Sequence, residues 1–445
     1  MNNNRFKLFL MMVLEFFIWG AWLPLIFGYL PGLGFNSTWQ QPLILNAFPV
    51  AAIIGMFFSN QFADRNFAAE KFLAFSHLVG GLAMLGLAFT TSFWPFFLLM
   101  LVHCLFYVPT MSITNSIAFA NMKDPKDFGI IRMGGTLGWI MASWPFIFFF
   151  VDWDKVHALN PQGFVNWLGA ALGNGLTGEA LQHKTIWTFI VAGIASLLLA
   201  GFSLILPHTP PKKAGEGGAE ALAWVEAFKL LKHPFVLVLW IVTLVDASVH
   251  NSYFAWAGSF LGAKTTEGGA GIPGNWIMAV MSVGQIAELL TMFILGPTIR
   301  RLGWRWTMIL GIIAYPIRFG VWAFFPEHQG LIIFVQVLHG ICYAFFFATV
   351  YIFAEEYFPK DVRSSAQGLF NFMILGVGAL VAYSVCPWLS QNVFAHNGLT
   401  DWHNLFLVPL FVALGSAVTL ALFFHPPKTM AESGSSAQKS EPVRA

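Results

Sequence analysis

Arg132, Thr136 and Trp139 stand four and three residues apart in an apolar stretch, so a helix would carry all three on one face. An arginine inside a membrane helix is costly unless it looks into a polar cavity, which makes Arg132 the mark of a candidate binding site. Gln285 and Glu288 lie at i and i+3, Asn251 and Phe254 at i and i+3, and His339 and Tyr343 at i and i+4, each pair again within apolar sequence. Glu15 adds a second acid, with Trp19 and Trp22 one and two turns on. Carboxylate and amide groups suit vicinal hydroxyls and base edges, while Trp139, Phe254 and Tyr343 offer flat faces for stacking. This chemistry points to an uncharged, ring-bearing polar solute. A buried Glu or His could bind a proton together with it.

Each of these residues also has a plainer reading. Buried His, Gln and Asn often brace neighbouring helices through hydrogen bonds worth about 0.6 kcal/mol. Bracing is the expectation for His77, His103 and Asp246, and neutralisation of a carboxylate is the expectation for Arg318. For Gln285 and Glu288 the functional reading prevails, because an unpaired carboxylate at mid-membrane costs roughly 2.5–3.5 kcal/mol. For Glu15 both readings stand.

Other chemistries find little support. Cys104, Cys342 and Cys386 are far apart in apolar sequence and read as packing residues, not as a disulfide frame or a metal site. No His/Cys/Asp cluster has metal-ligand spacing, and no nucleophile–base pair stands out. Gly262-Ala-Lys264-Thr265 lacks the first glycine of a phosphate-binding loop. No cofactor, metal or enzymatic activity is therefore expected. A net charge of +2 gives no reason to expect nucleic acid as a partner.

The elements that must position these side chains follow from composition. With 57% hydrophobic and 10% charged residues the chain reads as an all-α, polytopic protein of the lipid bilayer. At about 20 apolar residues per crossing, twelve spans are expected: 8–30, 42–62, 72–91, 94–119, 128–151, 184–206, 234–260, 276–299, 305–325, 330–356, 364–389 and 403–425. The first is a retained span; no small-residue cleavage site follows it. At 1.5 Å per residue, Glu15, Gln285, Glu288, His339 and Tyr343 all fall roughly 13–22 Å from the membrane ends of their helices, near the midplane where transporters bind solute.

Nineteen of the 23 Lys and Arg fall on one side of this arrangement, so both termini are expected in the cytoplasm. Residues 207–233, rich in Pro and Gly with a short amphipathic helix over 219–232, read as a cytoplasmic linker between two six-span halves, 1–206 and 234–427; the tail 428–445 reads as disordered. Asp64-Arg65 after the second span and Arg300-Arg301 after the eighth, with Arg132 and Arg363 opening the fifth and eleventh, form a weak internal repeat. Asp64, Arg65, Arg301, Glu355 and Arg363 together could latch the inner ends as a gate; ordinary solvated helix ends are the alternative. The outer loops 152–183 and 262–274 read as connections, the first with a surface helix near 164–172, and the second flexible enough to act as a lid.

These features resemble one known group, the bacterial nucleoside:proton symporters of the major facilitator superfamily. The likeness covers nearly all of both halves. It rests on Trp19-Gly-Ala-Trp22-Leu23, Tyr107-Val-Pro-Thr110 with Asn115, Arg132-x-x-Gly135-Thr136-x-Gly138, Ser282-x-x-Gln285-x-x-Glu288 and Arg363-x-Ser-Ala-Gln367-Gly368. The resemblance implies a central nucleoside site with Arg132, Thr136 and Trp139, an amide at Asn251, and Gln285 and Glu288 on the sugar or base. It also implies two pseudo-symmetric six-helix bundles working by alternating access as a monomer in the bacterial inner membrane. Three departures stand out: Phe254 replaces a second amide, His339 replaces an aromatic, and Ala344 after Tyr343 replaces the family's acid. Glu288 or Glu15, with His339, is expected to take over the titrating role. A sugar or nucleobase carrier, or a receptor that transports nothing, are the competing readings.

Overall fold

The computed structural model describes residues 3–55, 67–122, 128–211, 228–358 and 363–426. Among the described residues, nine helices are long and apolar enough to cross a membrane, one of them the 51-residue segment Gly274–Phe324. That segment is two crossings. Its backbone turns at Gly303, with φ 74° and ψ 174°, a conformation a side chain would oppose. Residues 299–302 contain no helix breaker, so the helix runs on through the expected loop and a single glycine makes the turn. With Gln40–Ile54, and Phe128–Ser143 continued by Phe146–Phe149, the described helices account for the twelve expected spans.

Some spans are irregular where they approach the centre. The second breaks at Asn46 between Gln40–Leu45 and Ala47–Ile54. The tenth and eleventh contain π-helical turns at Tyr343–Ala348 and Phe372–Val377. Such wide turns redirect side chains and often sit at functional sites.

Small residues let the helices close up, as expected where lipid supplies no hydrophobic drive between them. A side chain at Gly138 would run into the Val13 carbonyl of the first span. One at Gly340 would strike the eighth span at Ala287 and Glu288. Within the first half, the first span packs on the fifth and sixth and the third on the fourth and sixth. In the second half, the seventh packs on the eleventh and twelfth and the eighth–ninth helix on the tenth and twelfth.

Among the described residues, the halves meet chiefly through three pairs of spans: first with seventh, second with eleventh, fifth with eighth. Adding six to a span number in one half and subtracting six in the other maps the first pair onto itself and exchanges the other two, as a pseudo-two-fold axis requires. Large apolar side chains such as Phe89, Trp94, Phe293 and Phe411 cover the outside.

The outer loop 152–183 is more than a connection. It forms Trp153–Leu159, Phe164–Gly173 and Gly178–Lys184, the middle one matching the expected surface helix. Trp276 Nε1 donates to Leu172 O at 2.8 Å and Asn275 Nδ2 to Ile147 O at 3.3 Å, so this loop and the end of the fifth span are tied to the start of the eighth. Residues 262–274 fold back on the seventh span, where Ile272 N donates to Leu261 O at 2.7 Å. Most of the expected linker helix, and the tail 428–445, lie outside the described residues; Leu230–Lys232 forms a short 3-10 turn.

Candidate functional site

A cavity of about 650 Å³ lies between the halves. Arg132, Thr136, Trp139, Asn251, Phe254, Gln285, Glu288, His339 and Tyr343 all line it. Its volume falls within the range typical of small-molecule sites, roughly 300–1,000 Å³. Irregular spans bring further groups that the sequence reading left out. Phe16 and Phe48 contribute rings, and Tyr351 donates to Asn371 at 2.5 Å. Tyr383 donates to Asn251 Oδ1 at 3.0 Å, fixing that amide, whose Nδ2 donates to Ala247 O at 2.9 Å. The i to i+4 spacing of Gln367 and Asn371 was the available signal, of the kind that marked His339 and Tyr343.

Arg132 and Glu288 are the two charged residues of the lining, one from each half. They are not within ion-pair distance, 4.0 Å, of each other. Arg132 lies 4.2 Å over the ring of Phe16, a cation–π contact that holds the guanidinium without neutralising it. Gly135 makes room for it: a side chain there would collide with the guanidinium and Phe16. With one positive and one negative group, the cavity suits a solute of no net charge.

Three lining groups have buried polar atoms without a hydrogen-bond partner among the described residues: Trp19 Nε1, Asn115 Oδ1 and Gln285 Oε1. Such atoms are costly to leave unsatisfied, so a solute offering both acceptors and donors is favoured. Above them, Trp19 stacks on Phe48 at 4.8 Å and meets Trp139 edge-on at 5.1 Å, and Trp139 meets Phe254 across the halves at 5.9 Å. These rings are suited to hold a flat heterocycle.

Arg318 departs from expectation. It is fully buried, yet no carboxylate pairs with it among the described residues. Its Nη1 donates to His339 Nδ1 at 2.8 Å, and its guanidinium lies 4.3 Å over Tyr253 and 5.0 Å over Phe319. A guanidinium can only donate, so Nδ1 accepts and the neutral ring carries its hydrogen on Nε2. With Nδ1 occupied in this way, His339 is badly placed to pick up a second proton. His339 in turn stacks on His250 at 4.7 Å.

Glu15 stands apart from the cavity. It is fully buried within the first half, 2.9 Å from His77 Nε2, and accepts from Thr110 Oγ1 at 2.7 Å. Ser196 holds the other face of His77 at 3.0 Å, and His103 braces Gly80 O at 3.0 Å. Glu15 is thus enclosed by partners of its own half and does not face the solute space.

The inner-gate residues are only partly visible. Asp64 and Arg65 lie outside the described residues, as does the side chain of Arg363. Arg301 is exposed, and Glu355 accepts from Gln367 Nε2 at 3.0 Å.

Comparison with known proteins gives this geometry a setting. A family model described as "Nucleoside H+ symporter" matches residues 1–172 and 155–429. The putative nucleoside transporter YegT of Escherichia coli (strain K12) is 30% identical over 432 residues, 94% of this chain and 93% of the relative. The xanthosine permease of the same organism is 27% identical over 430 residues, 94% of each chain. Among solved structures, the crystal structure of the nucleoside transporter NupG superposes with a TM-score of 0.77 at 23% identity, covering 96% of this chain and 100% of that one. A D-xylose-proton symporter shares the fold with a TM-score of 0.64. The chain is a multi-pass membrane transporter and not an enzyme, and it belongs to the nucleoside H+ symporter family.

Proposed function

We propose that this protein imports a nucleoside together with protons, by alternating access, with Glu288 as the coupling acid of the binding site. The observation that carries the reading is the meeting of Arg132 and Glu288, from opposite halves, in one cavity with unpaired amides and stacked aromatic rings. A nucleoside matches that lining: its ribose offers hydroxyls to Gln285 and Glu288, and its base offers a flat face to Trp139 and polar edges to Asn115 and Asn251. Protonation of Glu288 leaves Arg132 as the remaining charge of the lining, and deprotonation restores the balance, so proton and solute occupancy are linked through one electrostatic site.

Residues 1–206 and 234–427 act as the two rocking bodies, joined by the linker 207–233. The excess of Lys and Arg on the terminal side supports a cytoplasmic location for that side, in a bacterial inner membrane. The protein works as a monomer, since each half contributes to a single site. The gate read from the sequence, Asp64, Arg65, Arg301, Glu355 and Arg363, would latch the span ends on the terminal side when the cavity turns the other way.

The test is uptake of labelled uridine, adenosine and xanthosine into proteoliposomes, with and without an inward proton gradient. Wild-type protein concentrates at least one of them only when the gradient is present. Glu288→Gln loses that accumulation and retains exchange. A variant that still concentrates solute rules out Glu288 as the coupling acid, and competition by hexoses alone would favour a sugar carrier.

A further inference from the structure

The second half buries an acid that the binding site does not use. Asp246, in the seventh span, is 1% exposed, and neither carboxyl oxygen has a hydrogen-bond partner of good geometry among the described residues. A carboxylate that merely braced helices would have donors around it. Its surroundings contain an unusual sequence of groups instead. From the ninth span, the Tyr315 hydroxyl lies near the Asp246 carboxyl without the geometry of a formed hydrogen bond. The same hydroxyl lies 2.9 Å from His250 Nδ1. His250 lines the cavity and makes no hydrogen bond through Nε2 among the described residues. Polar groups therefore run from the solute space to a buried acid: His250, Tyr315, Asp246.

The remaining ionisable groups nearby are few. Cys342 of the tenth span is buried beside Tyr315 and Asp246. Arg318, one turn beyond Tyr315 on the ninth span, is engaged by His339 and its ring cage. The eleventh span brings Tyr383 to the seventh, where it bonds Asn251.

Resting on the transport reading above, we infer that Asp246 is a second proton site, loaded from the cavity through His250 and Tyr315, and that its proton is reported back to the solute by the tautomer of His250. The transfer balances as a relay. His250 Nε2 takes a proton from hydronium in the cavity, leaving water; His250 Nδ1 gives its hydrogen to the Tyr315 oxygen, and the Tyr315 hydroxyl hydrogen passes to the Asp246 carboxylate. One proton moves, no electrons change hands, and the reverse passage restores every group.

The two end states differ at the cavity wall. With Asp246 ionised, Tyr315 donates to it, His250 Nδ1–H donates to Tyr315, and Nε2 faces the solute as an acceptor. With Asp246 protonated, its hydroxyl donates to Tyr315, Tyr315 donates to His250 Nδ1, and Nε2–H faces the solute as a donor. Beside it, His339 is held as an Nε2–H donor by Arg318. Loading Asp246 thus presents two adjacent ring donors to an acceptor-bearing edge of the solute. It also supplies an acid within a helical bundle that has Ala344 after Tyr343.

Asp246→Asn and Tyr315→Phe, reconstituted in proteoliposomes, test this directly. The amide introduced by Asp246→Asn would donate to Tyr315 permanently, as the protonated acid does. Gradient-driven accumulation of labelled nucleoside is then lost in both variants, while exchange of internal for external nucleoside persists. Infrared difference spectra on adding nucleoside to the Glu288→Gln protein, in which the cavity acid no longer contributes, show the carbonyl stretch of a protonated carboxylic acid, and the further change Asp246→Asn removes it. Accumulation at the wild-type level in either variant, or a carboxyl band unchanged by Asp246→Asn, overturns the inference. Retained exchange certifies that a variant is folded, and Tyr315→Phe, which removes a single hydroxyl and leaves the acid in place, carries the test where Asp246→Asn folds too poorly to exchange. Failure of the wild-type protein to concentrate any nucleoside overturns the transport reading instead, and leaves the spectroscopic test of Asp246 standing.

Discussion

At the scale of single residues, what distinguishes this cavity is how its polar groups are held. Arg132 is held by a ring and Asn251 by Tyr383, while Gln285 Oε1 is left without a partner among the described residues. Groups fixed without being neutralised keep their capacity for a solute. Arg318 works one layer further out: by donating to His339 Nδ1 it decides which face of that ring carries hydrogen. Arg318→Met should separate this role from a structural one. Arg318 has no carboxylate partner among the described residues, so an apolar side chain of similar length leaves no unpaired charge behind and spares the fold the burial of a cation. His339, freed to adopt either tautomer, loses a fixed donor, and a hydrogen bond of about 1 kcal/mol corresponds to binding weaker by about fivefold. Thermal unfolding at an unchanged midpoint, with a raised Kd for nucleoside by calorimetry, is the expected result. A fall in midpoint with unchanged Kd would make Arg318 purely a packing residue.

At the scale of elements, the site depends on helices that meet closely enough for side chains of both halves to share one space. This part of the molecule was legible beforehand because lipid penalises polar groups. A span can carry Arg132, Gln285 or Glu288 only by turning it inward, so spacing alone places such residues on one wall. What spacing does not reveal is which helix stands opposite. Nothing in the sequence said that Arg318 would meet His339 instead of a carboxylate, that Glu15 would be enclosed by His77 and Thr110, or that residues 299–302 would stay helical up to Gly303. Those outcomes depend on register between spans far apart in the chain. Gly340 shows how tight the register is, since a side chain there would come within 2.6 Å of Gly284 O and Ala287 C as well as the amide of Glu288. Gly340→Ala must push the eighth span away from the tenth and carry Gln285 and Glu288 with it. Overpacking of this kind costs about 1–3 kcal/mol. The expected outcome is a lower unfolding temperature together with a raised KM for uptake. An unchanged KM would mean that the eighth span does not contribute its polar pair to the solute.

At the scale of the whole molecule, the cavity reaches residues at span ends on one side of the molecule. Phe119, Phe128, Tyr351 and Gln367 belong to the ends of the fourth, fifth, tenth and eleventh spans on the side where the chain begins. Away from that side the halves are joined by Asn46 Nδ2 to Ser384 Oγ at 2.7 Å, Gln391 Nε2 to Gln41 Oε1 at 2.8 Å, and Phe27 against Tyr383 at 5.2 Å. On the proposed cytoplasmic placement of the termini, a cavity that reaches their side fits the inward-facing state of an alternating-access cycle, and two of these three contacts are single hydrogen bonds. They are individually weak, as contacts that must break in every cycle need to be. Covalent closure of that end should therefore arrest transport without destroying the site. Cys104, Cys342 and Cys386 are all buried, so thiols introduced at Asn46 and Ser384 can be joined selectively by a short bis-thiol reagent. The cross-linked protein should lose uptake yet bind nucleoside presented from the terminal side with its original Kd, and a cleavable reagent should restore uptake on reduction. Retained uptake in the linked protein would mean that the second and eleventh spans do not separate during the cycle, and the rocking of one half against the other would have to be abandoned.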